Sequence, residues 1–463
     1  MGETSSLFKR LLGAWHDIAG SVTSSSRVSP SLSDQEDADR LREQMAACLE
    51  ARGGEVSARA RAAALGRTYL ELEPEGRQRF LRIVAEGFGP DAEAIDNAIA
   101  ALQDADPQDR SAAQDTLRRA LEPPRMRLMT QFNELPEGVK FLVDLRSDLI
   151  ELSDGAALHA LNDDLRDLLA SWFDVGFLEL RRITWDSPAS LLEKLIAYEA
   201  VHEIRSWDDL KNRLDADRRL FAYFHPRMPD EPLIFVQVAL VNGLADNVNE
   251  LLDESAPITE PSEADTAIFY SITNAQRGLV GISFGGFLIK RVVDELQAEF
   301  PKLKTFSTLS PIPGFARWVR RSLDGGVALL SDEDEATVRD LFGLKNGEPG
   351  LRSALDDTGG MAEEPKRTAL EPIMTKLCAR YLLREKNRRG RAMDPVAHFH
   401  LTNGAQVERV NWMADASVHG LAQSAGMMVN YLYNLSKIEA NHERYTGDGK
   451  VSASTAVNRL LKK

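Results

Sequence analysis

Residues 266–315 constrain the fold more than any other stretch of the sequence. Residues 266–273 form an apolar run rich in β-branched and aromatic side chains, which predicts a buried strand. A loop with glycines at positions 278, 281, 285 and 286 follows. Apolar residues at steps of three and four between Phe284 and Phe300 then predict an amphipathic helix, and residues 305–310 predict a second strand. This succession presents backbone N–H groups and a helix N-terminus to a phosphate.

The overall composition limits the classes of protein to which the chain can belong. Its 463 residues, 43% of them hydrophobic, suffice for two or three packed domains. The formal charge of −15 argues against a nucleic-acid-binding protein, whose contact surface would be basic. No apolar run is long enough to cross a membrane. We therefore predict a cytoplasmic protein with neither a nucleic-acid nor a membrane partner.

Metal and disulfide sites are also disfavoured. Cys48 and Cys378 are too few for a disulfide framework, and the eight histidines fall into no metal-binding pattern such as His-Glu-x-x-His. No biotin or pyridoxal motif is present either. We expect no metal and no organic cofactor.

Hydrophobic periodicity divides the chain into three parts. Residues 1–32 include a Ser-rich tail and predict a disordered start, with a transit peptide and an N-myristoylation site as alternative interpretations. Residues 33–180 have almost wholly helical periodicity, typical of a bundle, and we expect this bundle to mediate oligomerisation. Residues 181–463 alternate strand and helix patterns and predict a mixed-sheet domain. The fold class is therefore α+β.

Two hairpins are predicted within the last part. Residues 219–224 and 233–241 flank a Pro-rich turn, and residues 395–401 and 405–410 flank a turn that contains Asn403 and Gly404. In the second hairpin, His398 and His400 would lie two residues apart on one strand and face the same side. With an ordinary pKa of about 6.5, such a histidine would donate and recover a proton near neutral pH.

Three strings in this part resemble the malonyl-CoA decarboxylase family: Gln276-Arg-Gly-Leu-Val-Gly281, Thr308-Leu-Ser-Pro-Ile-Pro-Gly-Phe315 and Asp394-Pro-Val-Ala-His-Phe-His-Leu-Thr-Asn-Gly-Ala405. The resemblance extends from about residue 180 to about residue 435. It implies a helical domain followed by a GNAT-like catalytic domain, the acetyltransferase architecture. It also implies the conversion of malonyl-CoA to acetyl-CoA and CO₂ without metal or organic cofactor, and a homo-oligomer, either a dimer or a tetramer.

The same resemblance implies a set of site residues. Ser310 and His400 would be catalytic, and Tyr433 would line the substrate pocket. The CoA-contacting loop would comprise Val280, Gly281, Ile282, Ser283, Phe284, Gly285 and Gly286. The residues themselves agree with these roles, because glycines let the backbone approach a pyrophosphate and Ser310 ends a strand where two prolines prevent its continuation.

Two other functions remain open from the sequence. Gly281-Ile-Ser283-Phe-Gly285 matches the Gly-x-Ser-x-Gly motif of α/β-hydrolases, which would make Ser283 the nucleophile of a hydrolase or thioesterase with His400 as its base. A GNAT-like fold would also suit an acyl-CoA acyltransferase, which needs an acceptor amine.

Overall fold

The computed structural model describes residues 3–19, 28–50, 55–152, 154–282, 287–345 and 350–462. The chain forms two compact units. The helical unit comprises Met1–Glu179, Phe224–Pro232 and Gln276–Ser283, and the sheet unit comprises Leu180–Tyr223, Leu233–Ala275 and Phe284–Lys463. The predicted α+β class, with an N-terminal helical part and a mixed sheet, is confirmed. The two later segments that belong to the helical unit have no counterpart in the domain boundaries predicted from periodicity.

The helical unit is built from α1 (Glu3–Ala19), α2 (Gln35–Leu49), α3 (Glu55–Glu71), α4 (Pro74–Gly87), α5 (Ala92–Asp104), α6 (Arg110–Leu121), α7 (Pro124–Asn133), α8 (Gly138–Leu152) and α9 (Ala156–Trp172). Short 3₁₀ turns at Val175–Phe177 and Arg277–Leu279 also belong to it. Apolar side chains at helical spacing, such as Phe141, Leu145 and Leu149 on α8, are buried as their periodicity predicts.

Helix α1 lies in the segment for which the sequence predicts a disordered start. Trp15 on this helix is fully buried, and its indole N–H donates a 2.9 Å hydrogen bond to the carbonyl oxygen of Pro136. Its ring meets that of Phe141 edge to face, with 4.9 Å between centroids. Leu11 and Ala19 on the same helix are buried as well, so α1 packs through an apolar face that the prediction of a disordered start did not take into account.

The sheet unit contains the strands β1 (Glu179–Ile183), β2 (Arg218–Phe224), β3 (Ile234–Val241), β4 (Thr266–Asn274), β5 (Thr305–Thr308), β6 (Ser310–Pro311), β7 (Gln406–Asn411) and β8 (Met428–Leu432). Its helices are α10 (Ala189–Tyr198), α11 (Trp207–Asn212), α12 (Val248–Leu251), α13 (Phe287–Glu299), α14 (Phe315–Asp324), α15 (Asp332–Leu341), α16 (Gly350–Asp356), α17 (Thr358–Ala362), α18 (Lys366–Arg384), α19 (Pro395–Thr402), α20 (Val418–Ser424), α21 (Ile438–Asp448) and α22 (Thr455–Leu460).

The strands form one mixed sheet in the order β1-β2-β3-β4-β5-β8-β6, and β7 also pairs with β8. β2, β3 and β4 are antiparallel neighbours, as the first predicted hairpin requires, whereas β4 and β5 run parallel with Phe269 opposite Thr308. A parallel pair needs a crossover, and helix α13 supplies it. Tyr270 forms a bulge in β4, because Val238 faces Phe269 while Gln237 faces Ser271.

The second predicted hairpin is half wrong. Residues 406–411 form strand β7, but Pro395–Thr402 is helix α19. Asp394 caps this helix and Pro395 occupies its first position, a combination that favours helix initiation over the apolar, strand-like composition that follows. His398 and His400 therefore point in different directions, since residues two apart on a helix are separated by about 200°. His398 Nδ1 contacts the hydroxyl of Tyr445 at 2.8 Å.

No helix in the described ranges is both long enough and apolar enough to span a membrane.

The packing of Trp15 gives a direct test of helix α1. A Cβ atom at Gly66 would lie 2.2 Å from the Trp15 ring, whereas one at Gly13 would meet nothing within 4 Å. We expect Gly66→Ala to lower the free energy of unfolding by roughly 1–3 kcal/mol through overpacking. Gly13→Ala, in the interior of α1, should instead raise it by about 0.5–1 kcal/mol. Chemical denaturation followed by circular dichroism measures the free energy of unfolding of both variants. Equal values for Gly66→Ala and Gly13→Ala would contradict the packing of Trp15 against Gly66.

Candidate functional site

Ser310, His400 and Tyr433 form one hydrogen-bonded cluster in the sheet unit. Ser310 Oγ lies 3.2 Å from His400 Nε2, and His400 Nδ1 lies 2.7 Å from the hydroxyl of Tyr433. All three side chains are buried, with Ser310 6% exposed and the other two 3% exposed. The structure thus brings together three residues that the sequence analysis singled out.

The sheet positions Ser310. Strand β5 ends at Thr308, and the chain continues antiparallel to β8 with Ser310 opposite Val429. Residues two apart on a strand face the same side, so Thr308 and Ser310 share a face. The Ser310 hydroxyl donates a 2.8 Å hydrogen bond to Thr308 Oγ1, which also accepts the N–H of Tyr431 at 3.1 Å.

His400 is held between aromatic rings. The Tyr431 ring stacks on the imidazole with 4.6 Å between centroids and 24° between planes. The Tyr433 ring lies edge-on to the imidazole, and Phe269 lies edge-on to Tyr433 at 6.5 Å. Alternation along β8 places residues 431 and 433 on one face, beside Thr308. Thr308 and Tyr431 contact this cluster but were not predicted from the sequence, although their spacing of two from Ser310 and Tyr433 could have identified them.

Burial controls the protonation of these groups. Desolvation lowers the pKa of His400 to about 3, and it raises the pKa of Tyr433 well above its usual value. At neutral pH the imidazole is therefore neutral and the phenol keeps its proton. The expectation that this histidine titrates near neutrality is thus wrong, because burial lowers the pKa of the imidazole.

The hydrogen-bond directions follow from these protonation states. Since Ser310 donates to Thr308, its Oγ accepts the N–H of His400 Nε2, and Nδ1 accepts the hydroxyl proton of Tyr433. A single chain of donors thus runs from Tyr433 through the imidazole to Ser310. It ends with a neutral Nε2–H beside a hydroxyl, in surroundings that exclude water.

The predicted CoA loop lies only partly within the described residues. Val280, Gly281 and Ile282 belong to the helical unit, whereas Ser283, Phe284, Gly285 and Gly286 lie outside the described residues. Val280 and Gly281 are exposed and Ile282 is buried. Gly281 has a φ of +81°, a conformation that side chains disfavour.

Helix α8 fixes the start of this loop. A Cβ atom at Gly278 would lie 1.8 Å from the Val143 carbonyl oxygen, so only glycine permits the close approach. The buried Arg146 side chain donates a 2.6 Å hydrogen bond to the Gly278 carbonyl oxygen. The Arg166 side chain passes 3.9 Å from the place of a Cβ atom on Gly281. The helical unit therefore holds the backbone at the start of the loop, while the Arg166 guanidinium pairs with Asp163 at 2.8 Å and with Asp167 at 2.9 Å.

Within the described part of the chain, no group of three or more His, Cys, Asp or Glu side chains could hold a metal ion.

Comparisons with known proteins identify relatives of this chain. Models of the malonyl-CoA decarboxylase C-terminal and N-terminal domains match residues 176–463 and 88–173. The curated "Malonyl-CoA decarboxylase, mitochondrial" of Mus musculus is 40% identical over 408 residues, which are 84% of this chain and 82% of that protein. The protein of the same name from Anser anser anser is 38% identical over 86% of this chain and 82% of its own length.

Solved structures of malonyl-CoA decarboxylases also match this chain. The crystal structure of malonyl-CoA decarboxylase from Rhodopseudomonas palustris matches with a TM-score of 0.84 and 42% identity, covering 91% of this chain and 99% of that one. The enzyme from Agrobacterium vitis matches with a TM-score of 0.82 and 42% identity, over 92% of this chain and 100% of that one. With matches of this extent in both halves of the sequence and in the fold, the chain belongs to the malonyl-CoA decarboxylase family.

Proposed function

We propose that this protein is a carboxy-lyase that converts malonyl-CoA to acetyl-CoA and CO₂, with Ser310 and His400 at the reacting centre. The proposal needs neither a metal nor an organic cofactor. The observation that carries it is the buried Ser310–His400–Tyr433 cluster, in a chain whose relatives are named malonyl-CoA decarboxylases.

The reaction breaks the bond between the α-carbon and the carboxylate of the malonyl group. The bonding electrons pass into the thioester to form an enolate, CO₂ leaves, and one proton then adds to the α-carbon. The protein must therefore direct hydrogen-bond donors at the developing enolate oxygen, exclude water, and supply one proton.

Ser310 and His400 supply those donors in our mechanism. The Ser310 hydroxyl exchanges its bond to Thr308 for one to the thioester or carboxylate oxygen, and His400 Nε2–H is directed at the same centre. His400 Nε2–H then donates the proton to the α-carbon while the Tyr433 hydroxyl proton moves to Nδ1, so the imidazole stays neutral and the negative charge passes to the Tyr433 oxygen. A proton from solvent restores the Tyr433 hydroxyl after the products leave.

A neutral imidazole suits this reaction better than an imidazolium. A positive charge beside the substrate carboxylate would stabilise the ground state that must lose CO₂, and so would slow the chemical step. Burial keeps His400 neutral and thereby avoids this pairing. Hydrogen bonds to the enolate oxygen strengthen only as charge develops there, which favours the transition state.

Residues 280–286 bind the CoA portion in this proposal. The positive φ of Gly281 and the close backbone packing at Gly278 support a role in which the loop's backbone approaches a phosphate. Ser283 then contributes to the loop and does not act as a nucleophile.

We also propose a homo-oligomer formed through the helical unit. Helix α6 contains no buried residue, and α5 buries only Ala98. Ile99 is 40% exposed and Leu121 is 52% exposed, so these two helices present apolar side chains that a second copy would cover.

We propose that the protein is located in the cytoplasm. The two curated relatives are named mitochondrial, and fractionation of the native cell decides between the two compartments.

The two serines separate the decarboxylase from its nearest alternative. Removing one transition-state donor typically lowers kcat by about 10²–10³, so we expect this loss for Ser310→Ala with little change in KM. His400→Asn should behave similarly. Ser283→Ala should shift KM by a few-fold at most, because the backbone N–H groups that hold phosphate remain. The assay follows acetyl-CoA and CO₂ formed from malonyl-CoA.

Other outcomes identify other activities. Free CoA and malonate as products, with Ser283→Ala inactive, would make the protein a hydrolase or thioesterase. Consumption of acetyl-CoA that depends on an added amine would make it an acyltransferase. Near-normal turnover by Ser310→Ala would remove Ser310 from the mechanism.

The pH dependence of His400 gives an independent check. Its native pKa of about 3 lies below the unfolded value of about 6.5, so the imidazole stays neutral above about pH 4. Its contribution to stability is present above pH 6.5 and is lost as the pH falls towards 3, because the unfolded chain then binds the extra proton. We expect its ring NMR signals, identified by their loss in His400→Asn, to stay constant from pH 5 to pH 8. A titration midpoint near 6.5 would contradict the buried site.

Sedimentation tests the proposed oligomer. We expect the wild-type chain to form a dimer or tetramer at micromolar concentration. The double variant Ile99→Asp/Leu121→Asp should sediment as a smaller species, because two desolvated carboxylates would disfavour the interface. Val418→Asp, at a sheet-unit residue that is 88% exposed, serves as the matched control. A monomeric wild type would exclude the oligomer, and an unaffected double variant would exclude this surface.

A further inference from the structure

Asp394 lies where the chain segments that carry Ser310 and His400 meet. Its Oδ1 accepts 3.0 Å hydrogen bonds from the N–H groups of Val396 and Ala397, and its Oδ2 accepts one of 3.0 Å from the N–H of Gly314. The hydroxyl of Tyr381 is a further donor to the same side chain. The carboxylate is 1% exposed, so nearly all of its hydrogen bonding comes from the protein.

One oxygen of this carboxylate starts the helix that carries His400. Helix α19 spans only Pro395–Thr402, and a helix this short is unstable without its cap. Oδ1 satisfies two N–H groups of the first turn, and Pro395 has none to satisfy. His400 lies six residues after Asp394, about 9 Å further along the helix axis. The cap thus determines where the imidazole lies.

The other oxygen holds the segment that carries Ser310. Gly314 follows Ser310 by four residues, and Pro311 and Pro313 lie between them. Both prolines fix their φ angles, so the segment is stiff and a tie at Gly314 restrains Ser310. A Cβ atom at Gly314 would lie 2.1 Å from the Tyr381 hydroxyl and 3.1 Å from Asp394 Oδ2, so glycine is what permits the close approach.

Few bonds join these two segments. Within the described part of the chain, side-chain hydrogen bonds connect residues 305–314 with residues 392–404 at two places, Ser310 to His400 and Gly314 to Asp394. The first is the reacting pair itself. The second is therefore the direct hydrogen bond between the two segments that does not involve a reacting group.

We propose that Asp394 is a positioning residue that sets the distance between Ser310 Oγ and His400 Nε2 for catalysis. The inference rests on the proposed function for its kinetic consequences, but the link between the two segments stands on geometry alone. Asp394 touches neither reacting residue and acts through the backbone of each.

Two substitutions break the link and keep the helix cap. In Asp394→Asn, Oδ1 still accepts from the first turn of α19, but the amide nitrogen presents hydrogens to the Gly314 N–H. In Asp394→Ser, the hydroxyl caps the helix well but is too short to reach Gly314. Asp91→Asn is the matched control, because Asp91 caps α5 through the N–H groups of Glu93 and Ala94 and is tied to no second segment by a hydrogen bond in the described residues.

We expect both Asp394 variants to lower kcat by roughly 10-fold to 100-fold, the effect of misplacing reacting groups by about 1 Å. KM should change by no more than about threefold, because the CoA loop is untouched. Asp91→Asn should leave both constants unchanged. A loss of stability without a change in kcat per folded enzyme would overturn the proposal, because that is the result of a purely structural cap.

A double variant tests whether Asp394 acts through the pair. Once the Ser310 hydroxyl is removed, its position no longer matters. The kcat of Ser310→Ala/Asp394→Asn should therefore equal the kcat of Ser310→Ala to within about twofold. Losses that multiply would overturn the proposal. If neither Asp394 variant folds, Tyr381→Phe provides the test, because it removes one donor to the same carboxylate. It should lower kcat by a few-fold, and an unchanged kcat in Tyr381→Phe would count against the proposal.

A readout without turnover separates this inference from the proposed function. The ring NMR signals of His400 should shift in Asp394→Asn and stay in place in Asp91→Asn. If the wild-type protein releases no CO₂ from malonyl-CoA but the signals shift, the function is wrong and the link stands. If the wild type is active and the signals do not move, the link is wrong.

Discussion

The hydrogen bond between Ser310 Oγ and His400 Nε2 joins side chains that lie 90 residues apart in the sequence, and much of the sheet unit serves to form it. Strand β8 places Ser310 by pairing with β6 and supplies Tyr431, which stacks on the imidazole. Helix α19 delivers His400 from the other side. Because the contact is 3.2 Å long, small errors in the sheet register or in the helix start would separate the two groups.

Burial gives this pair its chemical character. The imidazole has no charged partner among its hydrogen bonds, so desolvation alone determines its protonation and keeps it neutral. The same aromatic rings that exclude water also orient the ring. A dry site of neutral donors suits the loss of CO₂, because charge develops on the substrate only as the reaction proceeds.

The helical unit includes the first part of the loop that we propose to bind CoA. Gly278 lies against the backbone of α8, and Arg146 donates to its carbonyl oxygen, so residues 276–282 are part of that unit although they directly follow strand β4. The strand–loop–helix pattern alone indicated a phosphate-binding loop. It gave no sign that the loop's first half packs on helices more than a hundred residues earlier.

The sequence by itself determined the elements whose pattern is local and the family to which they belong. Strands β2, β3 and β4, the α13 helix, and the candidates Ser310, His400 and Tyr433 could all be identified from periodicity or from specific strings. Tertiary structure decided the rest. The stretch at residues 395–402 has a strand-like composition but is helical; Asp394 and Pro395 are a local start signal, and what tertiary structure adds is the hydrogen bond from the distant Gly314 to the Asp394 carboxylate. Helix α1 is ordered because Trp15 packs between other helices, and His400 is neutral because it is buried against Ser310, Tyr431 and Tyr433. Such effects depend on which distant residues come into contact, and local sequence patterns do not contain that information.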